Sequence, residues 1–176
     1  MILGRDEMRR RVERLRVVRL ATIDELGRAH VVPVLFVVDG DVFYSPTDKP
    51  SAKRSRPAKR LSHLDHDDRV TVLADFYHED WLKAWWVRLR GTGRVIHEGP
   101  ERARVAGLLD RKYRQFAGDA YLDHGGPVLA VDIKDWTGWA YTERSSDGRG
   151  WRPWRDLPWR GLSWRDLPWR RSAGQA

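Results

Sequence analysis

The sequence predicts a mainly β fold, a Greek-key or split barrel with a few peripheral helices. Six strand-like runs, punctuated by turns and polar bends, follow one another from Val17 to Tyr141. With the helical segments set among them the order is β-β-β-α-β-β-α-β, which suits a closed antiparallel barrel. A chain of 176 residues with 41% hydrophobic content is most simply one domain with a core.

Each element has its own signal. Arg5–Arg16 reads as an amphipathic helix with Met8, Val12 and Leu15 on one stripe and mostly Arg and Glu elsewhere. Val17–Asp24 is the first strand; it turns at Glu25-Leu26-Gly27, where glycine can take a positive φ, into a long second strand, Ala29–Asp39. Asp39-Gly40 is a second hairpin turn leading to Asp41–Ser45. Ser51–His66 contains a helix broken or started near Pro57, and Val70–Tyr77 is the fourth strand. After the polar bend at 78–80 comes Trp85–His97, in which Gly91 and Gly93 suggest a bulge or a close backbone approach. Pro100–Phe116 starts with proline and carries Val105, Leu108, Leu109 and Tyr113 at helical spacing. Gly125-Gly126-Pro127 links it to the closing strand, Val128–Tyr141.

Chemistry concentrates first at Lys49–Arg60 (KPSAKRSRPAKR), which holds six Lys/Arg and no acid. A dense cationic segment held on a small barrel suits a phosphorylated cofactor, because phosphate oxygens need several directed donors. A solvated connector is the competing reading of such a run. The whole chain has a net charge of +8, but residues 1–144 carry only 26 basic against 22 acidic side chains. The body is mildly basic, so nucleic acid is not the expected partner. Without cysteine, disulfides and thiolate metal sites are excluded. No signal peptide or membrane span is legible, and a cytoplasmic protein is expected.

Residues 145–176 form a distinct Trp/Arg-rich tail, read as flexible and separate from a 1–144 body. WRDLPWR occurs at Trp154–Arg160 and again at Trp164–Arg170, and five of the ten Trp lie between Trp151 and Trp169. Two copies are too few for a solenoid, and Pro153, Pro158 and Pro168 oppose a long helix. Alternating Trp and Arg could stack on nucleobases or meet an anionic membrane surface; a recent duplication without a role is the plainer account.

Taken together, RLATIDELGRAHVVPVLFVVDGDVFYS, the stretch AKRLSHLDHDDRVTVLADFYHEDWLKAWWVRLRGTGRV, KYRQF, and VLAVDIKDWTGWA carry a resemblance that runs from about Met8 to Thr142. The chain resembles the pyridoxamine-5′-phosphate-oxidase-like split-barrel superfamily, whose members have the FMN-binding split-barrel fold. Within it the chain is most similar to the branch of coenzyme F420-dependent oxidoreductases. The resemblance implies a homodimer with cofactor grooves between the barrels, and a reduced deazaflavin that passes a hydride to a small organic substrate. FMN is the alternative cofactor, in a pyridoxamine-phosphate-oxidase-like enzyme, and a non-catalytic cofactor-binding module is a further alternative. Both cofactors present a phosphate. The acidic oligoglutamate tail of the deazaflavin coenzyme would favour further exposed cations such as Arg54 and Arg56.

The resemblance also assigns roles. Basic residues between the third and fourth strands hold the phosphate; Lys53, Arg54, Lys59 and Arg60 fit, with Lys59 and Arg60 favoured. The ring plane maps to His30, Val31, Val32 and Pro33, and Ser45 and Thr47 add hydroxyl donors. Trp85 and Trp86 match an aromatic wall. Adjacent strand residues face opposite ways, so at most one of these two meets a cofactor. His30 is equally readable as a solvent-facing strand residue, and Trp136 and Trp139 as core or dimer packing. His63, Asp65, His66 and Asp67 look like ligands, but the two His share a helix face only loosely, and no metal site is expected. No catalytic dyad or triad is legible; Tyr77, His78 and Glu79 are the nearest candidates for a proton donor.

Overall fold

The computed structural model describes residues 1–47, 58–77, 79–114 and 126–142, so the duplicated tail and most of the basic run lie outside the described residues. Within them the chain runs α1 (Arg5–Arg14), β1 (Val18–Ile23), β2 (Ala29–Val34), β3 (Val37–Asp39), β4 (Val42–Pro46), α2 (Lys59–Ser62), β5 (Arg69–Phe76), β6 (Trp85–Ile96), α3 (Pro100–Lys112) and β7 (Val128–Ala140). Short 3-10 turns at His63–Asp65 and Trp81–Lys83 complete it. All pairings are antiparallel, in one curled seven-stranded sheet of order β2-β1-β5-β6-β7-β4-β3. This is the mainly β half-barrel that the sequence predicts.

Hairpin chemistry fixes the registers. Gly27 (φ 75°) and Gly40 (φ 57°) sit in the left-handed region at the β1–β2 and β3–β4 turns, where a side chain would strain the backbone. The sheet bulges where Arg90 pairs with Asp135 but Gly91 with Ile133, leaving Lys134 as the extra residue. Glycine is needed here for space: a Cβ on Gly91 would lie 2.2 Å from the Asp132 carbonyl oxygen.

The expected single strand Ala29–Asp39 is in fact two. The chain leaves β2 at one edge of the sheet, passes through Leu35-Phe36, and starts β3 at the opposite edge. A residue 77 positions away holds this crossing. The buried Tyr113 hydroxyl accepts the Phe36 N–H at 2.9 Å, and lies 2.9 Å from the Phe36 carbonyl and 2.8 Å from the Arg16 carbonyl to which it donates. The Phe36 N–H freed by breaking the strand is thereby satisfied.

The two faces of the sheet are covered differently. The inner face gathers Leu20, Phe36, Phe43, Val72, Val87, Leu89, Leu129 and Val131, and Met8 and Val12 of α1 pack into it. Full burial of such a side chain stabilises by about 1.5–3 kcal/mol. At the β7–β4–β3 end, α3 covers the outer face with Val105, Leu109 and Tyr113 against Val37, Tyr44, Val128 and Ala130. The rest of the outer face, across β2, β1, β5 and β6, has no helix over it among the described residues. There Val31 is 58% and Leu73 38% exposed. No helix among the described residues is long and apolar enough to cross a membrane.

Candidate functional site

The single turn of α2 is anchored by Leu61, buried in the inner core, with Leu64 of the following 3-10 turn packed beside it. That anchoring leaves Lys59 exposed and brings Arg60 to the end of β4, where its Nη2 donates to the Pro46 carbonyl at 3.0 Å. On β4, alternation separates Tyr44, which faces α3, from Phe43 and Ser45 on the other side. Ser45 is fully buried, and its Oγ has no hydrogen-bond partner among the described residues. Thr47 is nearly buried; its hydroxyl donates to the Pro127 carbonyl, which also accepts the Thr47 N–H at 3.1 Å. At the join of β4 and α2, Arg60 is tied to Pro46, the residue between Ser45 and Thr47, and Lys59 precedes it in α2. Lys53 and Arg54 lie outside the described residues.

At β2 the four expected ring-contact residues divide by face. Leu20 pairs with Val32 and Thr22 with His30 on the core side, whereas Ala21 pairs with Val31 and Arg19 with Pro33 on the open side. Val31 and Pro33 are exposed. The His30 ring meets His63 edge-on, with centroids 5.1 Å apart and planes at 86°. His63 Nδ1 lies 2.8 Å from Oγ1 of the fully buried Thr22. Burial first, then the charge of His30 and, more weakly, that of Lys59, push the His63 pKa below its ordinary value, with Asp24 and Glu25 acting the other way.

His63 is the residue that reading the sequence did not place, since it appeared there only within a string of acids and histidines. A partial signal existed. Thr22 and His30 are symmetric about the β1–β2 turn and must face each other if that hairpin closes. The arrival of His63 over them is a tertiary contact with no local mark.

Trp85 and Trp86 do point to opposite faces, as β alternation demands. Trp85 is buried in the inner core with the Arg11 guanidinium 5.5 Å above its ring. Trp86 pairs with Trp139 on the open face, with the Arg88 guanidinium 5.9 Å away; the Arg88 Nε is buried without a partner among the described residues. Trp136 belongs to the core, capped by Arg5 and Arg9 at 4.8 and 5.4 Å, both of which also bind Asp41. Tyr77 is exposed and edge-on to Trp81 at 6.2 Å, and His78 lies outside the described residues.

Comparison with known proteins agrees with this architecture. Residues 5–140 match the family model described as pyridoxamine 5′-phosphate oxidase. No curated protein is a significant sequence match. Among solved structures, a conserved hypothetical protein from Mycobacterium tuberculosis is similar with a TM-score of 0.63 at 18% identity, over 84% of this chain and 94% of its own. An FAD-binding protein from Mesorhizobium loti gives 0.55 at 18% identity, over 78% and 95%. HutZ, the haem storage protein from Vibrio cholerae, gives 0.55 at 13% identity, over 77% and 90%. At these identities the structural likenesses concern the fold.

Proposed function

The chain belongs to the pyridoxamine 5′-phosphate oxidase family, and from that premise we propose an oxidoreductase that works with the deazaflavin coenzyme F420 on a small organic substrate in the cytoplasm. The observation that carries the reading is the join of β4 and α2. A buried hydroxyl without a partner costs about 1–3 kcal/mol, and such a cost persists where a ligand relieves it. Ser45 is such a group, and it lies on the strand to which Arg60 is tied. In this reading Lys59 and Arg60, helped by Ser45, hold the phosphate through charge-assisted hydrogen bonds, whereas the Thr47 hydroxyl, expected as a further donor, is committed to the Pro127 carbonyl.

The bound cofactor, when reduced, supplies a low-potential hydride. The chain's own part is to bind, orient and exclude water. Val31 and Pro33 offer an apolar, rigid edge against which a planar ring can lie. The open outer face beside them, with Leu73, Trp86, Trp139 and the orphaned Arg88 Nε, is where we place a second copy of the chain, so that each groove is lined by two protomers. Large aromatic and arginine side chains are favoured in such interfaces.

FMN is the second reading, supported by the FAD-binding description of the Mesorhizobium loti structure. The description of HutZ as a haem storage protein supports a cofactor-binding role without catalysis. Fluorescence titration separates the first two: the deazaflavin coenzyme should bind more tightly than FMN, and less tightly as salt rises. Tighter binding of FMN would overturn the cofactor assignment. Sedimentation should give a dimer, and a monomer that still binds cofactor would remove the second copy from the site.

A further inference from the structure

The proposed phosphate site has a titratable neighbour. His63 lies one helical turn beyond Lys59, on the side of α2 that turns back over the β1–β2 hairpin. Its ring is fixed from two directions. Nδ1 meets the hydroxyl of Thr22, a fully buried residue, and the ring edge meets His30. Neutral His63 can accept the Thr22 hydroxyl at Nδ1, while protonated His63 donates to the same oxygen, so the ring can gain a proton without leaving its place.

We propose that His63 is the protonatable part of the anion site: a phosphorylated ligand held at Lys59 and Arg60 binds with uptake of a proton and binds more tightly as pH falls. This inference rests on the phosphate site proposed above. The charges facing His63 come from every element around it: His30 from β2, Lys59 from α2, and Asp24 and Glu25 from the β1–β2 turn. Asp24 is already committed, since Oδ2 takes the Arg28 guanidinium at 2.8 and 2.9 Å and Oδ1 takes the Leu26 and Arg28 N–H groups. Burial, the largest influence, and the charges of His30 and Lys59 oppose a positive charge on His63, while Asp24 and Glu25 favour it. In the free protein the His63 pKa therefore lies below its ordinary value.

A phosphate beside Lys59 shifts this balance. Its negative charge offsets Lys59 and draws a proton onto the imidazole, raising the His63 pKa in the complex. Between the free and bound pKa values each binding event takes up a proton, and affinity must rise as pH falls through that window. Well above both values the effect disappears. His63 acts here as a positioning and charge-balancing residue; the reading requires no contact with the reacting atoms.

The test is calorimetric titration of the full chain with FMN at pH 6 and pH 8, in buffers of different ionisation enthalpy, for wild type and His63→Gln. The FMN phosphate titrates in the same range, but it does so with both proteins, so the difference between them isolates the side chain. The expected result is net proton uptake by wild type, greater than for the variant. The wild-type affinity gain from pH 8 to pH 6 should exceed that of the variant by about three- to tenfold, matching a shift of half to one pKa unit. NMR titration of the wild-type histidines, free and with FMN, gives the answer without any substitution: one imidazole pKa should rise on binding. FMN binding with equal proton uptake in both proteins, or with no histidine shift, overturns this inference and leaves the phosphate site standing. Absence of binding of both FMN and the deazaflavin coenzyme at any pH overturns both.

Discussion

The two ends of the sheet are finished differently. Where α3 covers β4 and β7, polar groups are matched to one another. The buried Tyr113 hydroxyl accepts the Phe36 N–H and donates to the Arg16 carbonyl, and the Tyr44 hydroxyl donates to Glu101, which Arg94 clamps through two bonds of 2.7 and 3.0 Å. Arg104 joins the Tyr44 hydroxyl and Asp39 to the same network. Where α2 meets β4 and the β1–β2 hairpin, Ser45 keeps an orphan hydroxyl, Lys59 is exposed, and the His63 pKa is pushed below its ordinary value, chiefly by burial. Groups that stabilise a fold are satisfied within it, whereas groups left short of partners inside it point to a ligand.

Breaking that contrast is easiest at the closed end. Tyr113→Phe leaves the Phe36 N–H and the Arg16 carbonyl without their partner, and should destabilise by about 2–3 kcal/mol in urea unfolding. Cofactor affinity of the folded fraction should stay within about twofold, since the loss is confined to the α3 side. At the open end the pattern should invert. Lys59→Ala is expected to weaken FMN binding by about 1–2 kcal/mol, a typical charged contact, with stability changed by less than about 0.5 kcal/mol. Lys59 is the cleaner probe because Arg60 also ties α2 to Pro46.

Ser45→Ala sharpens the comparison. Deleting an unpartnered buried hydroxyl should leave stability unchanged or raise it by up to about 1 kcal/mol, while weakening ligand binding. A clear loss of stability without loss of binding would move Ser45 to the structural side. The smallest effect belongs to Glu101→Gln, about 0.5–1 kcal/mol at neutral pH, because the ion pair is partly solvated. Its sign is fixed by the Arg94 guanidinium, which together with Tyr44 holds the Glu101 pKa below its ordinary value against burial. The Glu101 contribution is present above the ordinary carboxylate range and is lost as pH falls through the folded pKa. Acid titration of stability should therefore bring wild type and variant together.

Much of this was legible in local sequence. Gly27 and Gly40 announced their turns, Met8 and Val12 their helix face, and Trp85-Trp86 a strand with two different sides. Lys59 and Arg60 stood out through charge density. What could not be read was whatever depends on distant partners. The run AHVVPVLFVVD is apolar throughout and looks continuous, yet Tyr113 holds it open at Phe36. Gly91 suggested a bulge, but the extra residue, Lys134, is on the facing strand. His63 drew notice for the wrong reason, because nothing near it in sequence names Thr22 as its partner. The basic run at Lys49–Arg56 and the WRDLPWR repeat remain expectations drawn from the sequence.

The central claim is that the β4–α2 join recognises the phosphate of a flavin-type cofactor. The most direct measurement is the affinity difference between FMN and riboflavin, which lacks the phosphate, for wild type and for Lys59→Ala. Wild type should prefer FMN by at least about tenfold, equivalent to 1.4 kcal/mol, and the substitution should remove most of that preference while leaving riboflavin binding unchanged. Equal affinity of wild type for both ligands, or an FMN preference untouched by Lys59→Ala, would contradict the account.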